Sequence, residues 1–367
     1  MNGQLSTLLS ECVQCGASDL HLSSGERPYL RVNGNLIPVT TEALPRQAVQ
    51  EIIVSLLSDE RRAALEHHGE ADVAFALNGH ERFRGHIYRE KRGLTLAVRR
   101  LEDKFRPLSE LNLPPALAEL SRLTDGLVLF TGPTGSGKST TLATLLDDIN
   151  RHRACHIVTI EDPIEYVHEN IKSLVHQREV HRDVDSFAEA VRASLREDPD
   201  VVLVGEMRDV ETMRAAIVVA ETGHLVFSTL HCGNAVGALD RIIGAFPAHE
   251  RDSLCQQLSM TLRTVVAQHL LPRADGRGRV PAVEILRVNK AVANLIRNHK
   301  SEQMYTAMES GGGDGMQTLE QSLAGLVTSE MILAETARDL AGSVHILEQR
   351  LKSADNGATR RPSGAGR

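Results

Sequence analysis

Gly132-Pro-Thr-Gly-Ser-Gly-Lys-Ser139 satisfies every fixed position of the phosphate-loop pattern G-x-x-x-x-G-K-[ST], directly after the apolar run Leu127-Val-Leu-Phe-Thr131. That run reads as a buried strand, and Thr140-Thr-Leu-Ala-Thr-Leu-Leu146 behind the loop has helical apolar spacing. Strand, loop and helix in this order aim a helix N-terminus and a row of backbone N–H groups at an anion. Gly132, Pro133, Thr134, Gly135, Ser136, Gly137 and Thr140 then form the cradle. Lys138 is placed to reach the terminal phosphates, and the Ser139 hydroxyl to bind Mg²⁺. A Gly/Ser-rich surface turn is the plain alternative, but it requires neither flanking element. The expectation is a nucleoside triphosphatase using ATP and Mg²⁺.

With 367 residues, 41% of them apolar, the chain has material for about two domain cores. The formal charge of −7 argues against a nucleic-acid wrapper or a polybasic membrane binder, since both need a strongly positive surface. The start, Met1-Asn-Gly-Gln-Leu-Ser-Thr7, lacks a basic, apolar signal, and no stretch approaches the roughly 20 apolar residues of a membrane helix. Cytoplasm is the expected compartment. Five cysteines include Cys12-Val-Gln-Cys15, the spacing of half a zinc or redox site, with no second pair to complete it. The preferred reading places both on a short amphipathic helix carrying Leu5, Leu8, Leu9, Cys12 and Val13.

Residues 1–101 read as a small α+β domain. Alternating runs at Asp19 to Ser23, Tyr29 to Ile37, Ala71 to Leu77, Arg82 to Tyr88 and Leu94 to Arg100 form strands, with Asn-Gly turns at 33–34 and 78–79 and a helix from Arg46 to Leu57. The Pro-rich, charged stretch 102–115 reads as a linker. From 116 to 287, apolar strands at 127–131, 156–161, 200–205, 224–230 and 280–286 alternate with helices at 138–150, 186–196, 210–221 and 250–266. The fold class is therefore α/β, a doubly wound parallel sheet covered on both faces. Residues 288–352 read as helical, in segments 290–298, 301–309, 317–326 and 335–351, and 353–367 as a disordered tail.

Hydrolysis needs acids beside the loop. Ile157-Val-Thr-Ile-Glu-Asp-Pro-Ile-Glu165 is a strand ending in carboxylates, and Val201-Val-Leu-Val-Gly-Glu206 is a second, with Glu206 where a Walker B acid sits. Gly205 replaces the customary Asp, so Glu206 is expected to act on Mg²⁺ through water. His224 and His231 bracket Leu225-Val-Phe-Ser-Thr-Leu230, about 23 Å apart along a straight strand, too far to share a metal. His231 belongs to the end nearer the phosphates; a satisfied surface histidine fits His224 as well. Arg82 and Arg84, two apart on one strand, project from one face, and Arg99 lies on a neighbouring strand; the pair suits phosphate oxygens or a solvated sheet.

Taken together, these segments resemble the PilT/PilU-like retraction ATPases of type IV pili, within the secretion-ATPase superfamily, up to about residue 345. The resemblance rests on Ala17-Ser-Asp-Leu-His-Leu22, the phosphate loop, Thr159-Ile-Glu-Asp-Pro-Ile-Glu-Tyr-Val-His168, Gln177-Arg-Glu-Val180, Leu195-Arg-Glu-Asp-Pro-Asp200, Gly205-Glu-Met-Arg-Asp209 and Ala220-Glu-Thr-Gly-His-Leu225 through His231. It implies a PAS-like first domain, a RecA-like motor domain and a hexameric ring. Glu165 is then the general base, Glu206 the Walker B acid, His224 and His231 the histidine box, and Arg82, Arg84 and Arg99 the groups closing on phosphate, of the same chain's nucleotide or a neighbour's. Implied partners are an inner-membrane pilus platform protein and other pilus ATPases, which puts the chain at the periphery of the inner membrane.

Retraction is favoured by the absence of a four-cysteine insert and by Ala291-Val-Ala-Asn-Leu-Ile-Arg297, similar to the retraction signature except at Ala293, where the signature has Arg. His181-Arg-Asp183 and Arg196-Glu-Asp198 favour the PilT branch. A pilus-assembly or type II secretion ATPase, a nucleotide-gated subunit with little turnover, and a nucleic-acid motor are the competing classes. Pilus phenotype, a turnover assay and DNA stimulation separate them.

Overall fold

The computed structural model describes residues 2–32, 34–78, 81–101 and 105–358, and the chain divides into two units, Met1–Lys104 and Phe105–Arg367. Asn33, Gly79, the beginning of the expected linker and the tail from 359 lie outside the described residues.

The first unit runs α1 (Gly3–Gln14), β1 (Asp19–Ser23), β2 (Tyr29–Val32), β3 (Asn35–Pro38), α2 (Arg46–Val54), α3 (Asp59–His68), β4 (Glu70–Leu77), β5 (Glu81–Glu90) and β6 (Gly93–Arg100). Its six strands form an antiparallel sheet in the order β3-β2-β1-β6-β5-β4. Alternation decides which face is covered: Leu20, Leu22, Phe83, Ile87, Leu96 and Val98 join Leu5, Leu9, Ile52 and Ile53 of the helices in one core. Cys12 is buried in that core while Cys15 is exposed, so the C-x-x-C spacing serves the packing of α1. Helix α3 escaped the sequence reading because Asp59-Glu-Arg-Arg carries no apolar face; its signals are the Ser58 cap and Gly69, at φ 83°, which ends it.

The second unit contains β7 (Gly126–Thr131), α4 (Lys138–His152), β8 (His156–Glu161), β9 (Leu174–Glu179), α5 (Phe187–Ser194), β10 (Val201–Val204), α6 (Val210–Glu221), β11 (Leu225–Leu230), α7 (Ala235–Ala245), α8 (Arg251–Thr261), β12 (Leu262–Pro272) and β13 (Arg279–Arg287). The helices α9 (Lys290–Arg297), α10 (Met304–Ser310), α11 (Leu319–Thr328), α12 (Ala334–Leu340) and α13 (Val344–Ala358) follow. The seven-stranded sheet has the order β13-β12-β7-β11-β10-β8-β9, with apolar cores on both faces. The fold class is α/β, as expected.

Several expectations are corrected. The sheet is mixed, because β13 returns antiparallel to β12. The expected helix 250–266 stops at Thr261, where the β-branched Thr264, Val265 and Val266 favour the extended chain of β12. Strand β9 and helix α7 went unread; the two internal glycines of α7, Gly237 and Gly244, hid a helix that Asn234 caps. Residues 335–351 are two helices, and α13 extends to Ala358, into the stretch read as a tail. The stretch read as a linker belongs, from Phe105 onward, to the second unit: Leu113 is buried, and Thr144 Oγ1 donates to the Arg106 carbonyl at 3.1 Å.

Candidate active site

Strand β7 is buried throughout, and Gly132 leaves it at φ 142°. A Cβ at Gly132 would lie 2.2 Å from the Gln268 carbonyl oxygen, and one at Gly137 would lie 2.8 Å from Gln268 Nε2. Both positions therefore exclude any side chain. Gln268, from β12, braces the loop: its Nε2 donates to the Ser136 carbonyl at 2.8 Å and its Oε1 accepts from Thr141 Oγ1 at 2.9 Å. Arg279 Nη1 reaches the Gly135 carbonyl at 3.4 Å. Sequence reasoning missed Gln268 and Arg279, because the strands that carry them were misread or read only for their apolar run.

Lys138 is 8% exposed, and its Nζ donates to the carbonyls of Gly132, at 2.8 Å, and Pro133, at 3.0 Å. Burial lowers its pKa while Glu206 and Glu165 act in the opposite sense, so both acids lie within its field. Parallel pairing explains this convergence. Strands β7, β11, β10 and β8 are consecutive neighbours, so the phosphate loop, His231, Glu206 and the acids after β8 all follow the C-terminal ends of the same sheet.

Glu206 is held by Arg208 Nε at 2.9 Å and His231 Nε2 at 3.1 Å. Glu165 follows the half-buried Glu161, whose carboxyl desolvation pushes up to about 6 against hydrogen bonds from Thr159, Gln177 and the Glu165 backbone. Gln177, on the unread β9, donates to both Glu161 Oε1, at 3.1 Å, and the Tyr166 carbonyl, at 2.8 Å, fixing the acidic segment from below. Tyr166 OH and Thr140 Oγ1 share a hydrogen bond of 2.9 Å, which joins that segment to the phosphate loop.

His224 is not part of this cluster. It stands before the first residue of β11, where its Nδ1 meets Thr222 Oγ1 at 3.0 Å and the Val219 carbonyl at 3.1 Å, and its backbone carbonyl accepts from Gly126 at the start of β7. The length of the strand separates it from the loop. Arg82, Arg84 and Arg99 lie in the first unit on one sheet face: Arg84 pairs across from Arg99, and Phe83 and Gly85 face the core. Arg99 Nε meets Asp19 Oδ1 at 3.0 Å, and Arg84 Nη2 meets Asp72 Oδ2 at 3.8 Å.

The donors suit Mg²⁺. Among the described residues no three His, Cys, Asp or Glu side chains converge as a metal cage, whereas Ser139 and Glu206 are hard oxygen donors beside a phosphate cradle. This is how Mg²⁺ is commonly held, by one or two protein oxygens, substrate phosphates and water. Among the described residues the buried Ser136 Oγ has no hydrogen-bond partner, an additional donor inside the loop.

Residues 2–338 match the family described as Type II/IV secretion system protein. Over 337 residues, 92% of this chain and 98% of the relative, the sequence is 46% identical to the Type IV pilus retractation ATPase PilT of Pseudomonas aeruginosa. It is 44% identical over 311 residues, 85% of this chain and 83% of the relative, to the Twitching motility protein of Neisseria gonorrhoeae. The crystal structure of the pilus retraction motor PilT with bound ADP superposes with a TM-score of 0.88 at 41% identity, covering 94% of this chain and 99% of that one. The phosphate loop is thus part of a match that spans both units. The chain belongs to the type II/IV secretion system protein family of nucleotide-binding ATPases.

Proposed function

We propose that this chain is an ATP-hydrolysing motor for type IV pilus retraction, working as a ring of six copies against a pilus platform protein at the inner membrane. The observation that carries the catalytic reading is Lys138, buried at the loop within the field of Glu206 and Glu165. The retraction reading rests on likeness to the retraction ATPase over nearly the full length of both chains. Among the described residues no helix is long and apolar enough to cross a membrane, so force passes to the membrane through a partner.

The loop amides and the N-terminus of α4 bind the phosphates, and Lys138 exchanges the Gly132 and Pro133 carbonyls for the terminal phosphate. Ser139 and, through water, Glu206 would hold Mg²⁺, which would neutralise charge on the phosphate oxygens. Glu165 takes a proton from the attacking water as the new phosphorus–oxygen bond forms and the bond to the bridging oxygen of the diphosphate leaving group breaks. His231, oriented by Glu206, reads the terminal phosphate. Arg82, Arg84 and Arg99 neutralise the charge that develops in the transition state, drawing the first unit onto the nucleotide; loss of the terminal phosphate releases them.

Deleting the gene and viewing the pili directly tests the retraction reading. The expected result is accumulated fibres that no longer retract. Bald cells would reassign the chain to assembly.

A further inference from the structure

A second pair of buried acids lies outside the machinery described so far. Glu284 sits in the middle of β13, 4% exposed, between the core residues Val283 and Ile285. Its Oε1 accepts from the backbone N–H of Ala235 at 3.1 Å. Ala235 is the first residue of α7, so this carboxyl meets a helix N-terminus, where negative charge is favoured.

The residues that join β11 to α7 are tethered one after another. Arg241 Nη1 donates to the His231 carbonyl at 2.8 Å, and the Cys232 carbonyl and N–H each bond Thr131 Oγ1 at 2.8 Å. The Gly233 carbonyl bonds His269 Nε2 at 2.8 Å, and Asn234 Oδ1 accepts from Gly237 N at 2.6 Å. Glu284 supplies the last tether.

Glu320, in the first turn of α11 and 2% exposed, is the second acid. It accepts from the Ser343 N–H at 2.9 Å, in the turn before α13, and from the Tyr305 hydroxyl on α10. Tyr305 from α10 lies against Glu320, with Glu309 beyond it, while His269 from β12 bonds the same α7 approach. Burial, with the Glu320 charge contributing, pushes the Glu284 carboxyl up to about 7. Among the described residues neither acid receives a hydrogen bond from a lysine or arginine. A buried carboxyl without a cation costs stability that an apolar side chain would not, so packing gives no reason for either residue.

We propose that Glu284 is a positioning residue for His231: it fixes the start of α7, and with it the segment that carries the imidazole. The proposal rests on His231 reading the terminal phosphate.

The test is steady-state ATP turnover by the purified full-length chain carrying Glu284→Ala, Glu284→Gln, His231→Ala or Glu284→Ala with His231→Ala, with a thermal melt of each. Glu284→Ala is expected to lower kcat about tenfold with KM changed less than about twofold, because a displaced catalytic group costs rate more than binding. Glu284→Gln, which keeps an acceptor for Ala235 N–H, recovers most of that loss. The double variant turns over no more slowly than His231→Ala alone, the signature of two residues acting through one group. An unimpaired Glu284→Ala beside an impaired His231→Ala overturns this proposal alone, as does a further tenfold loss in the double variant. Wild-type turnover by His231→Ala overturns the sensor reading beneath it.

If the alanine variant melts early, Glu284→Leu, which fills the space without an acceptor for Ala235 N–H, takes its place with the same expected loss of kcat beside Glu284→Gln. Equal rates for Glu284→Leu and Glu284→Gln contradict the proposal.

Discussion

Around Lys138 the chain holds its reactive groups against one another, with Gln268 on the loop, His231 and Arg208 on Glu206, and Gln177 beneath the acidic segment. The arginines of the first unit stand on an open sheet face: Arg99 is 69% exposed and tied to the nearly buried Asp19, and its cross-strand neighbour Arg84 carries the same charge. Like charges opposite one another weaken a sheet, whereas interlocked buried polar groups stiffen a site. Under the proposed function the contrast corresponds to two kinds of work. Groups that must be placed to fractions of an ångström are built into the sheet, and the arginines, which would arrive with the substrate and leave with the product, are kept solvated.

The sharpest way to break this comparison is to remove a built-in group. Lys138→Ala should lower ATP turnover by about a thousandfold or more, as loss of a principal charge-stabilising group does; near-normal steady-state hydrolysis by that variant would take the loop out of the mechanism. Glu165→Ala should follow, with turnover down by about a hundredfold and nucleotide affinity retained, as for a lost general base. Equal kcat in an ATPase assay would move the base elsewhere. The smallest effect belongs to the solvated face. Arg82→Ala with Arg84→Ala should reduce kcat by about tenfold, screened as exposed charges are, and leave the melting of the second unit unchanged. Unaffected rates would return both arginines to the sheet surface.

Much of this was readable in the residues because local rules and tertiary structure agree. Phosphate loop, buried β7 and helix α4 are contiguous, and Glu165, Glu206 and His231 each follow an apolar run, so a parallel sheet gathers them without further information. What stayed hidden acts across the fold. Gln268 contacts a loop more than a hundred residues earlier in the chain, from a strand whose first residues continue a helical pattern. Glu284 is one polar residue within an apolar strand, and its meaning lies in Ala235, on another element. His224 shows the converse: the resemblance groups it with His231 in one box, but the length of the strand between them already set the two at opposite ends, where they stand.

The central claim is that a triphosphate recruits the arginine face of the first unit to the preset site of the second. Paired spin labels, one on an exposed position of each unit, measure this directly by electron–electron distance in the full-length chain without nucleotide, with ADP and with a non-hydrolysable ATP analogue. The account predicts a shorter distance with the triphosphate alone, diminished in Arg82→Ala with Arg84→Ala. One and the same distance distribution in all three states would contradict it.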